Sequence, residues 1–500
     1  MIFLIPFLFA PSVSLQDVND GFQALADEVE MTVLDNGLRV IVLPRGEAPV
    51  ASFRVHVLTG AIDEAAGLTG LAHFAEHMAF KGSERIGAGN WLSEKLALEE
   101  CDRAWKAYEA ARAGGAEEAA ALLKEFDAAR ERADAYSRAP DFDAVVEEAG
   151  GADSNASTGV DATRYYVSLP SNRLETWFWL TREMLGAPVM REFYKERDVV
   201  MEERRMRTDS DPFGSLFEAV LNAAFTAHPY RDSTIGHMDD LARLDRPEMI
   251  SFWERHYTAG RMVVAVVGKV EPSEVFSLAE TYLSDLPVSK QARNPRTVEP
   301  RQKGPRTVEV VRPASPALFA AWHTPPLRGR TAVVHDVLGS ILHGGASSRL
   351  HVRLVKEEKI AATVQGIVGF PGRLDASLAG VLVVPTSGNN LEDCLNMIQE
   401  EIHFLAERGP TERELEGVRR RAKMDLLSSL GSNPGLAGAL AQAEAEEGGW
   451  EALFDSLEAL EEVEAADIRA AAGTYLSHQR TVGYLLPPGA RPSTPVGEDS

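Results

Sequence analysis

The sequence predicts an α+β protein made of two similar α/β-sandwich domains, each an antiparallel-rich sheet covered by helices. Three observations carry that prediction. Strand-like runs bounded by turn signals alternate with helical stretches through the first 287 residues. A Pro-rich basic stretch, "VSKQARNPRTVEPRQKGPR" at 288–306, then interrupts both periodicities and reads as a linker. The same order of strands and helices resumes after it, giving domains at 28–287 and 307–487. A chain of 500 residues also exceeds what one hydrophobic core usually organises.

The elements follow in order. "MIFLIPFLFAPSVSLQ" is apolar but too short to span a bilayer, and reads as a signal peptide at 1–14 ending after Ser14. It lacks the usual Lys or Arg, which leaves open a misplaced start or a buried N-terminal strand. "MTVLDNGLRVIVLPRG" places two strands around Asp35-Asn36-Gly37, a strong hairpin signal, and "VASFRVHVLTGA" adds a third. "LAHFAEHMAF" has helical spacing. From about 92 to 137 an Ala/Glu/Lys/Arg-rich segment with Gly114-Gly115 in its middle predicts a helical hairpin. "TRYYVSLP" is a strand, "RLETWFWLTREML" and "ERDVVMEERRM" are helices, "RMVVAVVGKV" is a buried strand, and "EPSEVFSLAETYLSDLP" is a capped helix. In the second half the strands are "VEVVRP", "ALFAAWHTPP", "ATVQGIVGF" and "SLAGVLVVP", with helices between and after them; the tail at 488–500 is expected to be disordered.

Composition narrows function. Lys and Arg number 51 against 75 Asp and Glu, a net charge of −24 that disfavours nucleic acid and anionic membranes. No segment reaches transmembrane length. The two cysteines, Cys101 and Cys394, exclude a disulfide framework and a Cys-rich zinc site, so any metal must be held by His and carboxylates.

On a helical wheel at about 100° per residue, His77 falls about 40° from His73 with Glu76 beside them, while Leu68, Leu71, Ala75, Met78 and Ala79 form an apolar stripe on the other side. Histidines one turn apart can offer two nitrogens to one Zn²⁺, with a neighbouring glutamate as general base, the H-x-x-E-H pattern. The other reading is a solvated face carrying two unrelated histidines. A third ligand is offered by "KERDVVMEERRMR": Glu203 falls on a stripe with Val199, Val200 and Met206, Glu196 lies two turns back on the same side, and Glu202 points away. A carboxylate on an apolar stripe needs a cation, so Glu203 either binds metal or pairs with Arg204, Arg205 or Arg207.

At these residues the chain resembles the pitrilysin/insulin-degrading-enzyme (insulinase) family of zinc metallopeptidases, in particular the bacterial two-domain type related to mitochondrial processing peptidase. The ordered matches are "LDNGLRVIVLP", "GLTGLAHFAEHMAFKGS", "GGADSNASTGVDATRYYVSLP", "ERDVVMEE", "HPY" at 228–230, "YTAGRMVVAVVGKVEP" and "HGGASSRL". The resemblance implies one Zn²⁺ per chain on His73, His77 and Glu203, Glu76 as general base, and Glu196 behind the ligands. It implies that "SNAST" is an edge strand whose Ser154, Asn155, Ala156 and Ser157 bind an extended peptide substrate. Asn155-Ala156-Ser157 is also a glycosylation sequon, and a glycan there would exclude a substrate strand.

Two departures matter. The gap from His77 to Glu203 is 126 residues, longer than in the family, and the excess fits the hairpin at 92–137, which reads as a partner-binding element, a lid or a solvated decoration. Where catalytically complete members place an arginine and a tyrosine after "SSRL", this chain has Val355 and Ala362. Neither side chain donates a hydrogen bond. The resemblance therefore implies a heterodimer with a paralogous subunit that lacks H-x-x-E-H but carries the Arg/Tyr pair, in preference to a homodimer. The expected activity is zinc-dependent endopeptidase action on short or unfolded peptides, in an exported, periplasmic protein, or a cytoplasmic one if the leader is not functional. The alternative is a non-catalytic binding or assembly subunit.

Overall fold

The computed structural model describes residues 24–115, 117–138, 142–288, 297–475 and 479–493. The expected signal segment at 1–14 lies outside the described residues, as do 289–296 of the expected linker and 494–500 of the expected tail.

Two mixed sheets organise the chain. The first holds β1 (Glu30–Val33), β2 (Arg39–Pro44), β3 (Val50–Val57), β4 (Ala152–Thr158), β5 (Thr163–Pro170) and β6 (Met262–Gly268) in the order β1-β2-β6-β3-β5-β4. The second holds β7 (Arg306–Val311), β8 (Ala317–Thr324), β9 (Ala361–Phe370), β10 (Ser377–Pro385) and β11 (Arg480–Leu486) in the order β7-β11-β8-β10-β9. Setting β1 aside, the two orders are the same. In each half the last strand returns parallel to the first and antiparallel to the second. The repeated architecture is thus a repeated topology. Sequence reading had ended the second half on helices and missed β11, although "RTVGYLL" is an apolar run with the composition of a buried strand.

The β1–β2 hairpin forms at the predicted turn. Asn36 Oδ1 accepts from Leu38 N at 3.0 Å, its Nδ2 donates to Leu283 O at 2.7 Å, and Gly37 takes φ of 90°. Helices then follow: α1 (Leu71–Ala79), α2 (Trp91–Gly114), α3 (Ala119–Asp134), α4 (Phe142–Glu148), α5 (Leu174–Gly186), α6 (Phe193–Arg204) and α7 (Pro212–Ala224). The pair α2 and α3 is the predicted hairpin, turned where Gly115 adopts φ of 66°. Helix Pro272–Leu283 opens on a proline at its first position, and Glu271 makes no side-chain cap.

One face of the first sheet packs on α1, α5 and helices Arg246–His256 and Pro272–Leu283 in a large apolar core. Its other face, Ile41, Leu43, Val263, Ala265 and Val267, is covered by Leu436, Ala437, Leu440 and Ala441 from helix Asn433–Gln442 of the second half. The exchange is mutual. Leu216, Val220, Leu221 and Ala224 of α7 cover Ala317, Phe319, Ala321 and Leu485 of the second sheet. Burial on both faces explains why every residue of β6 is buried and why it reads as an unbroken apolar run. Among the described residues no helix is long and apolar enough to cross a membrane.

Candidate metal centre

α1 starts at Gly70, whose φ of 91° suits glycine and whose position a Cβ would bring to 2.7 Å from Leu241 and 2.8 Å from Ile235 O. The half-buried Glu64 side chain accepts from the amides of Gly70 at 2.9 Å and Ala72 at 2.7 Å, holding the first turn; desolvation of its carboxyl raises its pKa well above the usual range. Leu71, Ala72, Phe74, Ala75, Met78 and Ala79 bury in the core. Phe74 stacks on Phe193 at 4.6 Å between centroids, locking α1 against the start of α6. The register of the two helices then sets which polar side chains meet.

His73, His77 and Glu203 meet. His73 Nε2 lies 3.7 Å and His77 Nε2 3.5 Å from Glu203 Oε2, and one ligand atom from each residue falls within 4.8 Å of the others. A tetrahedral ion with bonds of about 2.0–2.1 Å needs its donors about 3.4 Å apart, so both His–Glu separations suit it after a small inward shift. The orientation of His77 suits it too. His77 Nδ1–H donates to Glu196 Oε1 at 2.9 Å, which turns the Nε2 lone pair toward the centre. Burial, then the charges of His77 and Arg207, push His73 down to about 3, so its imidazole is neutral. Burial alone would lower His77, but its hydrogen bond to Glu196 and the charges of Glu196, Glu203 and Glu76 outweigh that and raise it. Burial likewise works against the Glu196 carboxylate, and hydrogen bonds from His77 and Lys81 overcome it, holding the group at about 2; Lys81 Nζ sits 2.6 Å from its Oε2. The set of two nitrogens and one carboxylate oxygen therefore fits zinc.

The arginine pair is formed, and it uses one oxygen of Glu203: Oε1 pairs with Arg207 Nη1 at 2.6 Å while Oε2 faces the imidazoles. Glu202 is turned outward, 59% exposed and bonded to Arg205 at 2.8 Å. The stripe that pointed to Glu203 is corrected, however. Val199, within the regular helix, is 49% exposed, Met206, inside a π-helical turn at Arg205–Asp209 that ends the α-helical phase, is 61% exposed, and only Val200 of the three is buried.

Glu76 sits beside the trio. Its Oε2 accepts from Thr158 Oγ1 at 2.5 Å, and burial raises its pKa. Thr158 ends β4, the strand containing "SNAST". β4 is the last strand of the first sheet, Asn155, Ala156 and Ser157 pairing on one side with Tyr166, Tyr165 and Arg164. A cavity of about 1010 Å³ spans this edge and the trio, bordered by Ser154, Asn155, Ala156 and Ser157, by His73, Glu76, His77, Glu196 and Glu203, and by Asp134 and Arg138 at the root of the hairpin. Every candidate residue read from the sequence is thus gathered at one opening. Thr158, Lys81 and Glu64 were missed; Thr158 alone had a signal, as the last letter of "SNAST". Val355 lies against the second-half core and Ala362 at the start of β9, and neither borders this cavity.

The model of the insulinase family, peptidase family M16, matches residues 39–101 and 133–237, and that of the peptidase M16 inactive domain matches 243–422. The zinc protease PqqE of Helicobacter pylori is 28% identical over 431 residues, 84% of each chain. A mitochondrial-processing peptidase subunit beta of Lentinula edodes is 25% identical over 423 residues, 82% of this chain and 79% of its own. The crystal structure of a protease from Helicobacter pylori superposes with a TM-score of 0.77 at 26% identity, covering 92% of this chain and 99% of that one. The chain, two-domain fold included, belongs to the insulinase family of peptidases, family M16.

Proposed function

We propose that this chain is the zinc-binding catalytic subunit of an endopeptidase acting on short or unfolded peptides. One observation carries the reading: two imidazole nitrogens and a carboxylate oxygen converge beside an independently held glutamate, at an open sheet edge. His73, His77 and Glu203 would hold the ion, with Glu196 fixing His77. When bound, zinc supplies Lewis acidity toward water and a peptide carbonyl. The peptide adds to β4 as a further strand, its backbone held by Ser154 to Ser157. Glu76, aimed by Thr158, takes a proton from the attacking water and returns it to the departing amine.

The absence of donors at Val355 and Ala362 supports a heterodimer, a paralogous subunit bringing the Arg and Tyr that stabilise the oxyanion. The apolar leader supports export to the periplasm; a fold neighbour with a TM-score of 0.67 is a periplasmic protease, PqqL of Escherichia coli. A second reading, a non-catalytic assembly subunit, is favoured by the same two missing donors. Peptide cleavage by the zinc-loaded chain, alone and mixed with a paralogue carrying Arg and Tyr, separates them. Strong stimulation by the paralogue and loss in Glu76→Gln support the catalytic subunit, whereas no cleavage in either mixture supports the assembly role.

A further inference from the structure

The family match skips residues 102–132, so most of the helical hairpin lies outside the matched part of the family model. As a lid or a solvated decoration it would present a polar face to the body of the protein. Its inner face is instead core: Leu98, Cys101, Trp105, Phe126, Ala129 and Ala133 are all buried. What that face touches is α6.

Trp105 and Phe126 stand 5.0 Å apart, centroid to centroid, and both pack on Tyr194, at 5.3 Å and 5.0 Å. The guanidinium of Arg197, itself buried, lies 4.0 Å over the Trp105 ring and donates to Leu244 O at 3.0 Å. Asp102 receives Arg246 Nη2 at 2.7 Å and the Tyr194 hydroxyl at 3.3 Å. Tyr194 and Arg197 occupy the flank of α6 turned by roughly 100–180° from Glu196 and Glu203 at 100° per residue. The hairpin therefore fixes the rotation and height of the helix that presents both glutamates.

We infer that the hairpin is a brace for α6, with Trp105 as a positioning residue that sets Glu203 and Glu196 against His73 and His77. The inference rests on the metal reading above but does not need turnover. Misplacing a ligand by a fraction of an ångström weakens metal binding even when the fold survives.

The test uses the full chain, zinc affinity by chelator competition, the visible spectrum of the cobalt-loaded protein, and hydrogen exchange across 193–204. Trp105→Ala is expected to weaken zinc about 10–100-fold, alter the cobalt spectrum and speed exchange in α6, and Trp105→Phe to restore most of each. Phe126→Leu gives the same pattern, more weakly, should the alanine variant fail to fold. Ile398→Ala, in the core of the second half, supplies a general loss of stability as control. Wild-type zinc affinity in the Trp105 and Phe126 variants overturns the brace, and so does an equal loss of affinity in Ile398→Ala. If the wild-type chain binds no zinc, the metal reading fails on its own; α6 exchange then decides, and exchange unchanged in Trp105→Ala overturns the brace as well.

Discussion

The hydroxyl of Thr158 donates to the Glu76 carboxylate at 2.5 Å, so the last residue of the edge strand aims the residue placed to move protons. The proposed substrate strand and the proposed base are thereby set by one element. A hydrogen bond to a charged group is worth about 1.5–3 kcal/mol. Thr158→Val should accordingly lower kcat about 10- to 100-fold, with zinc affinity unchanged and Thr158→Ser close to wild type. Steady-state kinetics beside a zinc titration checks it.

Glu202 and Glu203 are neighbours with opposite fates, one paired outward with Arg205 and the other turned to the imidazoles. Glu203→Gln should weaken zinc more than about 100-fold while Glu202→Gln leaves it intact. Metal analysis after dialysis reads the difference. Equal loss at both positions contradicts the assignment.

Arg207 holds the outer oxygen of Glu203 at 2.6 Å although its own side chain is 70% exposed. Arg207→Ala frees that carboxylate to rotate, and zinc affinity should fall about tenfold with little change in melting temperature. Calorimetric zinc titration and a thermal melt together test it.

Glu94 and Arg191 form a fully buried ion pair at 2.5 Å, and Arg191 also donates to the carbonyls of Lys81, Ser83 and Ile86 in the loop leaving α1. Removing one partner strands the other charge. Glu94→Gln should cost about 3–5 kcal/mol in urea unfolding, far more than a change at the exposed Glu100–Arg132 pair.

The halves also meet through His56, Arg164 and Glu446. Glu446 Oε1 lies 2.7 Å from Arg164 and 3.1 Å from His56 Nε2, the latter contact poorly aligned for a hydrogen bond. Burial holds the His56 pKa below its usual 6.5, outweighing the pull of Glu446. Burial opposes ionisation of Glu446, but His56 and Arg164 keep its pKa below 4.5. Both folded pKa values are depressed, so both contributions are present at neutral pH and lost on acidification. The His56 part is lost first, as pH falls below 6.5, and the Glu446 part below 4.5. Melting temperature should drop between pH 7 and 5.5, and His56→Gln should flatten that segment.

Much of this was legible in the sequence because its signals are local. The Asn-Gly turn and the i, i+4 histidines each occupy a few residues. What stayed hidden depends on pieces remote in the chain. The mutual covering of the sheets by α7 and helix Asn433–Gln442 leaves no local pattern, and it is why β6 and β11 lack the alternation of a half-exposed strand. The wheel reaches Glu203 through a stripe of which Val199 and Met206 are exposed, since a wheel assumes a regular helix, which a π turn ends before Met206, and carries no information on what covers Val199. Trp105 and Phe126 read as ordinary hairpin residues; only the folded chain puts them behind α6.

The proposed function stands on His73, His77 and Glu203 sharing one zinc ion. Anomalous diffraction at the zinc edge from crystals of the zinc-loaded chain tests it most directly. A single strong peak is expected about 2.0–2.1 Å from His73 Nε2, His77 Nε2 and Glu203 Oε2. A fully loaded crystal whose peak lies away from these three side chains would contradict it.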